Sequence, residues 1–192
     1  MLPAAMTGTA TDAPLPPLTL VLGGARSGKS RYAERLVLAS DLEPVYLATA
    51  QPLDDELARR IAEHRSRRGA AWRTVEEPLD LPGALARHAA APGRAVLVDC
   101  LTLWLTNLMV AGRDVADETG RLLRGLDGLP APVVLVSNEV GQGVVPANAM
   151  ARAFVDSAGR LHRDLAARAD AVTLLVAGLP LHLKPPPGPR TP

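Results

Sequence analysis

The run Gly23-Gly24-Ala25-Arg26-Ser27-Gly28-Lys29-Ser30 follows an apolar stretch, Leu18 to Leu22, and precedes a helical pattern. It fits G-x-x-x-x-G-K-[ST] at all four fixed positions, in the strand-to-helix context the motif requires. Glycines let the backbone curl until its N–H groups converge on phosphate oxygens, and the following helix adds its positive N-terminal end. Lys29 is then placed to reach the β- and γ-phosphates of a nucleotide, and Ser30 to hold Mg2+. Only Lys29 and Lys184 of the twenty-one basic residues are lysines, so a chain that otherwise uses arginine has its lysine where this loop demands one.

The rest of the chain supports that reading. Leu18 to Leu22, Val45 to Ala48, Ala95 to Asp99, Val133 to Ser137 and Val172 to Val176 are short and nearly all apolar, the pattern of strands buried on both faces of a parallel sheet. Between them, Ser30 to Ala39, Asp54 to Arg68, Asp80 to Ala89, Leu101 to Val110, Val115 to Leu126 and Asn148 to Ala169 carry helical spacing or cap signals. The expected fold is α/β, a mostly parallel sheet of the P-loop nucleotide-binding type with helices on both faces. Half of the eighteen prolines fall in residues 1–17 and 185–192, so these ends read as a disordered extension and a Pro-rich tail around one domain, residues 18–184.

Composition narrows the function classes. A net charge of +1 lacks the basic excess of a general nucleic-acid or membrane binder. The single cysteine, Cys100, excludes a disulfide framework, and its place beside Asp99 reads as a small buried apolar residue. Uncharged apolar stretches stop short of the ~20 residues a membrane span needs, and residues 1–25 hold no Arg or Lys, so a cytoplasmic protein is expected. Asp99 closes a strand and is the candidate magnesium carboxylate, against the plainer role of capping the helix near Leu101. No Asn-Lys-x-Asp marks a signalling GTPase, and the size favours a small-molecule phosphotransferase.

Further residues carry a resemblance. Leu22 to Ser30, Tyr46-Leu47-Ala48-Thr49-Ala50, Asp54-Asp55-Glu56, Arg60-Ile61-Ala62-Glu63-His64-Arg65 and Trp72-Arg73-Thr74-Val75-Glu76 come first. Val98-Asp99-Cys100-Leu101-Thr102 and Ser137-Asn138-Glu139-Val140-Gly141-Gln142-Gly143-Val144-Val145-Pro146 follow in the same order. Together they resemble the bifunctional adenosylcobinamide kinase / adenosylcobinamide-phosphate guanylyltransferase family of cobalamin biosynthesis, over about residues 18–184. The resemblance implies phosphorylation of a corrinoid, adenosylcobinamide, by ATP or GTP, then transfer of GMP from GTP to the new phosphate. It also implies a homotrimer.

In that family the GMP passes through a histidine, and the matching residue is His64. The chemistry is sound on its own terms, because an imidazole with an ordinary pKa of about 6.5 is a competent nucleophile near neutrality. Six arginines lie between residues 59 and 73, and guanidinium groups suit phosphate. Against this, His64 falls on the apolar stripe set by Leu57 and Ile61, where packing alone would explain it. Among the other positions the resemblance carries over, Ala48, Thr49 and Ala50 follow a strand end, where a loop can touch nucleotide, and Arg65, Ser66, Arg67 and Arg68 with Glu76 lie at the family's guanine nucleotide site. A carboxylate such as Glu76 can accept from guanine donors or ribose hydroxyls. Asn138 to Pro146 is expected at the sheet's carboxyl edge beside the P-loop, as a substrate loop. His88, His162 and His182 have no partner pattern and read as structural. The rival reading is a P-loop regulatory or assembly protein that binds nucleotide without transferring any part of it.

Overall fold

A computed structural model describes residues 14–51, 59 and 70–186. Seven strands form one sheet: β1 (Leu18–Gly23), β2 (Glu43–Ala48), β3 (Arg73–Glu76), β4 (Arg94–Asp99), β5 (Val133–Asn138), β6 (Ala171–Val176) and β7 (Leu179–Lys184). Five described helices connect them: α1 (Lys29–Leu38), α2 (Leu81–His88), α3 (Leu101–Val110), α4 (Val115–Gly125) and α5 (Ala149–Arg168). The order across the sheet is β3-β2-β4-β5-β1-β6-β7, with every neighbouring pair parallel except β6 and β7.

Strand periodicity divides the core between the two faces. Leu20 and Leu22 pack with α2 to α5, through Leu85, Trp104, Leu122 and Leu165, while Val21 between them packs with Ala33 and Val37 of α1. Alternate side chains leave a strand on opposite faces, so a run buried on both sides is mainly apolar, as β1 is apart from the buried Thr19. The long helix α5 starts at Asn148, whose side chain accepts from the Met150 and Ala151 amides, and its Leu161 and Leu165 are buried on one stripe.

All five strands read from sequence are present, and the count rises to seven. β3 spans four residues with charged ends and half-covered middle positions, so it has no apolar run to announce it. β7 is exposed along its whole length and contains Pro180, which fits only an edge strand. Its partner β6 returns through a two-residue turn, Ala177-Gly178, with positive φ at both positions (51° and 81°). Helix Asp54 to Arg68 lies outside the described residues apart from Arg59, which is helical. No described helix is long and apolar enough to cross a membrane.

Candidate active site at the carboxyl edge of the sheet

The phosphate loop leaves β1 at Gly23 and enters α1 at Lys29. Gly23 is irreplaceable there on steric grounds: a Cβ would lie 2.4 Å from Ser27 Oγ and 2.9 Å from the Leu175 carbonyl oxygen of β6. Gly28 is the N-cap of α1 in the left-handed region (φ 91°), and no side chain caps the helix, so its first-turn amides remain directed at the loop's concavity. Ser27 is buried, and among the described residues its Oγ has no hydrogen-bond partner. Gly24, Ala25 and Arg26 form the exposed crest. Lys29 is buried and its Nζ donates to the Gly24 carbonyl at 3.3 Å, so the ammonium folds over the loop that its helix begins. The β6–β7 turn braces the loop from outside, the Gly178 amide donating to the Ser27 carbonyl at 3.1 Å.

Asp99 ends β4, and β5 stands between β4 and the P-loop strand. Two strand spacings, about 10 Å, separate it from β1. It does not cap α3: the N-cap is Cys100, with no side-chain cap bond. Instead Asp99 Oδ2 accepts from the Tyr46 hydroxyl at 2.9 Å, which fixes the carboxylate at the strand end. Cys100 is buried, as expected, and its thiol is pushed up to about 11, first by burial and then by the charge of Asp99. That thiol is no nucleophile at neutral pH.

Ala48 ends β2 next to Asp99, and Thr49 and Ala50 follow it. Thr49 is fully buried and acts as a clasp: its Oγ1 donates to the Cys100 carbonyl (2.7 Å) and accepts from the Cys100 amide (2.9 Å). Asn107 of α3 in turn donates to the Thr49 and Pro78 carbonyls. Glu76 ends β3 in register with Ala48, so the edge reads Glu76, Ala48, Asp99 across three adjacent strands. The structure therefore gathers the P-loop, Ala48 to Ala50, Glu76 and Asp99 along one edge. His64, Arg65, Ser66, Arg67 and Arg68 lie outside the described residues.

One constellation escaped the sequence reading. At the end of β5, Ser137 Oγ is 2.6 Å from His162 Nε2 of α5, and His162 Nδ1 faces Glu139 Oε2 at 3.9 Å. His162 thus has partners, where the sequence showed none. Burial holds its imidazole below the ordinary histidine range, opposed by the charge of Glu139. Glu139 lies beside the P-loop as expected, its amide donating to the Gly23 carbonyl at 3.0 Å.

Comparison with known proteins decides the family. Residues 19–183 match the family described as cobinamide kinase / cobinamide phosphate guanyltransferase. The chain belongs to that family. Its similarity extends to the bifunctional adenosylcobalamin biosynthesis protein CobP of Pseudomonas aeruginosa, 56% identical over 86% of this chain and 96% of that protein. The CobU proteins of Salmonella typhimurium and Escherichia coli are 44% and 43% identical over 87% of this chain and 99% of theirs. Among solved structures, flagellar accessory protein FlaH of Methanocaldococcus jannaschii aligns at TM-score 0.52 and 12% identity, covering 90% of this chain and 80% of that one. A solved ATPase domain aligns at TM-score 0.50 and 14% identity, covering 90% of this chain and 78% of that one. Both share their P-loop fold with this cobinamide kinase family member.

Proposed function

We propose that the chain performs both reactions for which its family is named, at the carboxyl edge of one sheet. In the first, the hydroxyl oxygen of adenosylcobinamide attacks the γ-phosphorus of ATP or GTP, the bond to the β–γ bridging oxygen breaks, and a nucleoside diphosphate leaves. The P-loop amides and Lys29 neutralise the phosphates, the main demand of phosphoryl transfer. Ser30 and Asp99 supply one hydroxyl and one carboxylate, hard oxygen donors that suit Mg2+; its other ligands would be phosphate oxygens and water. Bound there, the ion would offset phosphate charge.

In the second reaction, an unprotonated nitrogen of His64 attacks the α-phosphorus of GTP and pyrophosphate departs. The phosphate oxygen of adenosylcobinamide phosphate then attacks the histidine-bound GMP, the P–N bond breaks, and adenosylcobinamide-GDP is released. Arg65, Ser66, Arg67 and Arg68 would hold phosphate oxygens. Glu76, at the far end of the row through Ala48 and Asp99, would read the guanine or ribose of a nucleotide lying along the edge. The functional unit is residues 18–184, working in the cytoplasm as a homotrimer, with the exposed leucines 179, 181 and 183 on the edge strand available for subunit contact.

The family match over residues 19–183, with its P-loop built as the motif requires, carries this reading. The test uses GTP labelled at the α-phosphate. A covalent, acid-labile adduct that His64→Ala abolishes is the expected result, and γ-labelled ATP should label adenosylcobinamide. GTP binding without either transfer would favour the regulatory P-loop protein instead.

A further inference from the structure

Phosphoryl transfer to an alcohol needs a group to orient the hydroxyl and take its proton as the O–P bond forms. Among the described residues, Asp99, Cys100 and Glu139 bring acid–base chemistry to the carboxyl ends of β4 and β5, with His162 of α5 buried against Ser137. Asp99 is bound to Tyr46 and assigned to the metal, and the Cys100 thiol is fully buried and hydrogen-bonded to Thr102. Glu139 has what the other two lack. It follows the end of β5, the strand between the P-loop strand and the Asp99 strand, and its amide is tied to the first glycine of the loop.

Its carboxylate is held by one backbone amide and bordered by a histidine while staying open to a substrate. Oε1 accepts from the Gly141 amide at 2.7 Å, Oε2 faces His162 Nδ1, and the side chain is 24% exposed. His162 is anchored in turn by fully buried Ser137, in the order serine, histidine, carboxylate. Ser137 is sealed from any substrate, so the exposed end of this chain is the glutamate. From Glu139 the backbone continues into a loop with Val144 and Val145 at 96% and 77% exposure, followed by Met150 in the first turn of α5, an apolar surface suited to a large acceptor.

We propose that Glu139 is the general base of the kinase step, and that His162, held by Ser137, positions it. As the acceptor oxygen bonds to the γ-phosphorus, its proton passes to a Glu139 carboxylate oxygen and the electrons of the broken P–O bond remain on the departing diphosphate. The proton then leaves to solvent through the exposed side of the carboxylate. This assignment rests on the kinase reading above and says nothing of the guanylyl step.

The test is steady-state kinetics of adenosylcobinamide phosphorylation by wild type, Glu139→Gln, Glu139→Asp and His162→Gln, with fluorescent ATP-analogue affinity and thermal unfolding measured alongside. Glu139→Gln should lower kcat about 100-fold, within the range for loss of a general base, and leave KM for ATP and the analogue's affinity within about twofold. Glu139→Asp should recover part of that loss. His162→Gln should lower kcat about tenfold at unchanged KM, as a misplaced base would. A Glu139→Gln kcat within about threefold of wild type, or a loss matched by weakened nucleotide binding or early unfolding, would overturn the assignment. No phosphorylation by wild type would instead refute the kinase reading itself, and the base with it.

Discussion

Thr49→Val isolates the clasp between the β2 and β4 strand ends. Valine replaces the hydroxyl with a methyl at nearly the same volume, so packing in this fully buried position is little changed. The Cys100 carbonyl loses the Thr49 donor but keeps a second one, the Trp104 amide at 3.1 Å in the first turn of α3. The Cys100 amide has no such reserve, since Thr49 Oγ1 is the acceptor it reaches among the described residues, so the substitution strands one buried N–H. Leaving a buried donor unmet costs about 1–3 kcal/mol, and for a chain of this length each kcal/mol moves Tm by about 2–4 °C. A fall of roughly 2–12 °C is expected by calorimetry, and Thr49→Ser, which keeps the hydroxyl and loses one methyl, should recover most of it. Nucleotide turnover should fall too, because the clasp fixes the peptide after Asp99. A Tm within about 1 °C of wild type would refute this account, as would equal losses in the valine and serine variants.

Lys29→Ala should lower kcat for phosphorylation by at least about 100-fold, read with γ-labelled ATP, because a charge close to the transferring phosphoryl group is removed. Gly28→Ala should weaken nucleotide binding and lower Tm, since an L side chain at φ 91° is strained even with space around it. Protonating His162 is disfavoured in the fold, so the unfolded chain binds more protons as pH falls below the ordinary value of 6.5, and stability should drop there; His88 shifts in the same direction. His162→Gln should flatten that dependence in urea titrations between pH 7.5 and about 5.5, with His88 supplying what remains. On the homotrimer proposed above, with β7 between subunits, Leu181→Glu on the exposed edge strand should shift the sedimentation coefficient towards that of a monomer, and an unchanged coefficient would refute that placement.

The parts of the site legible in the sequence were those whose chemistry is local. The P-loop announces itself because all its atoms come from eight consecutive residues, and Asp99 because it closes an apolar strand. What stayed hidden depends on residues far apart in the chain. Tyr46 meets Asp99 across 53 residues and Thr49 meets Cys100 across 51, while His162 reaches Ser137 across 25 and one helix. No spacing rule links such pairs; the order β2-β4-β5 brings them together. The two strands that went unread lie at the sheet's edges, where one side of the ladder is solvent and the apolar signal that reveals inner strands is weakest.

The amide at Gly178 ties the C-terminal end of the fold to the loop between β1 and α1. Residues 179–184 hold that turn in shape by pairing with β6, so shortening the protein before Lys184 should weaken nucleotide binding without removing any residue of the loop itself. Affinity tags are therefore best appended after this last strand, and nucleotide affinity becomes a convenient gauge of whether the outer margin of the sheet is intact.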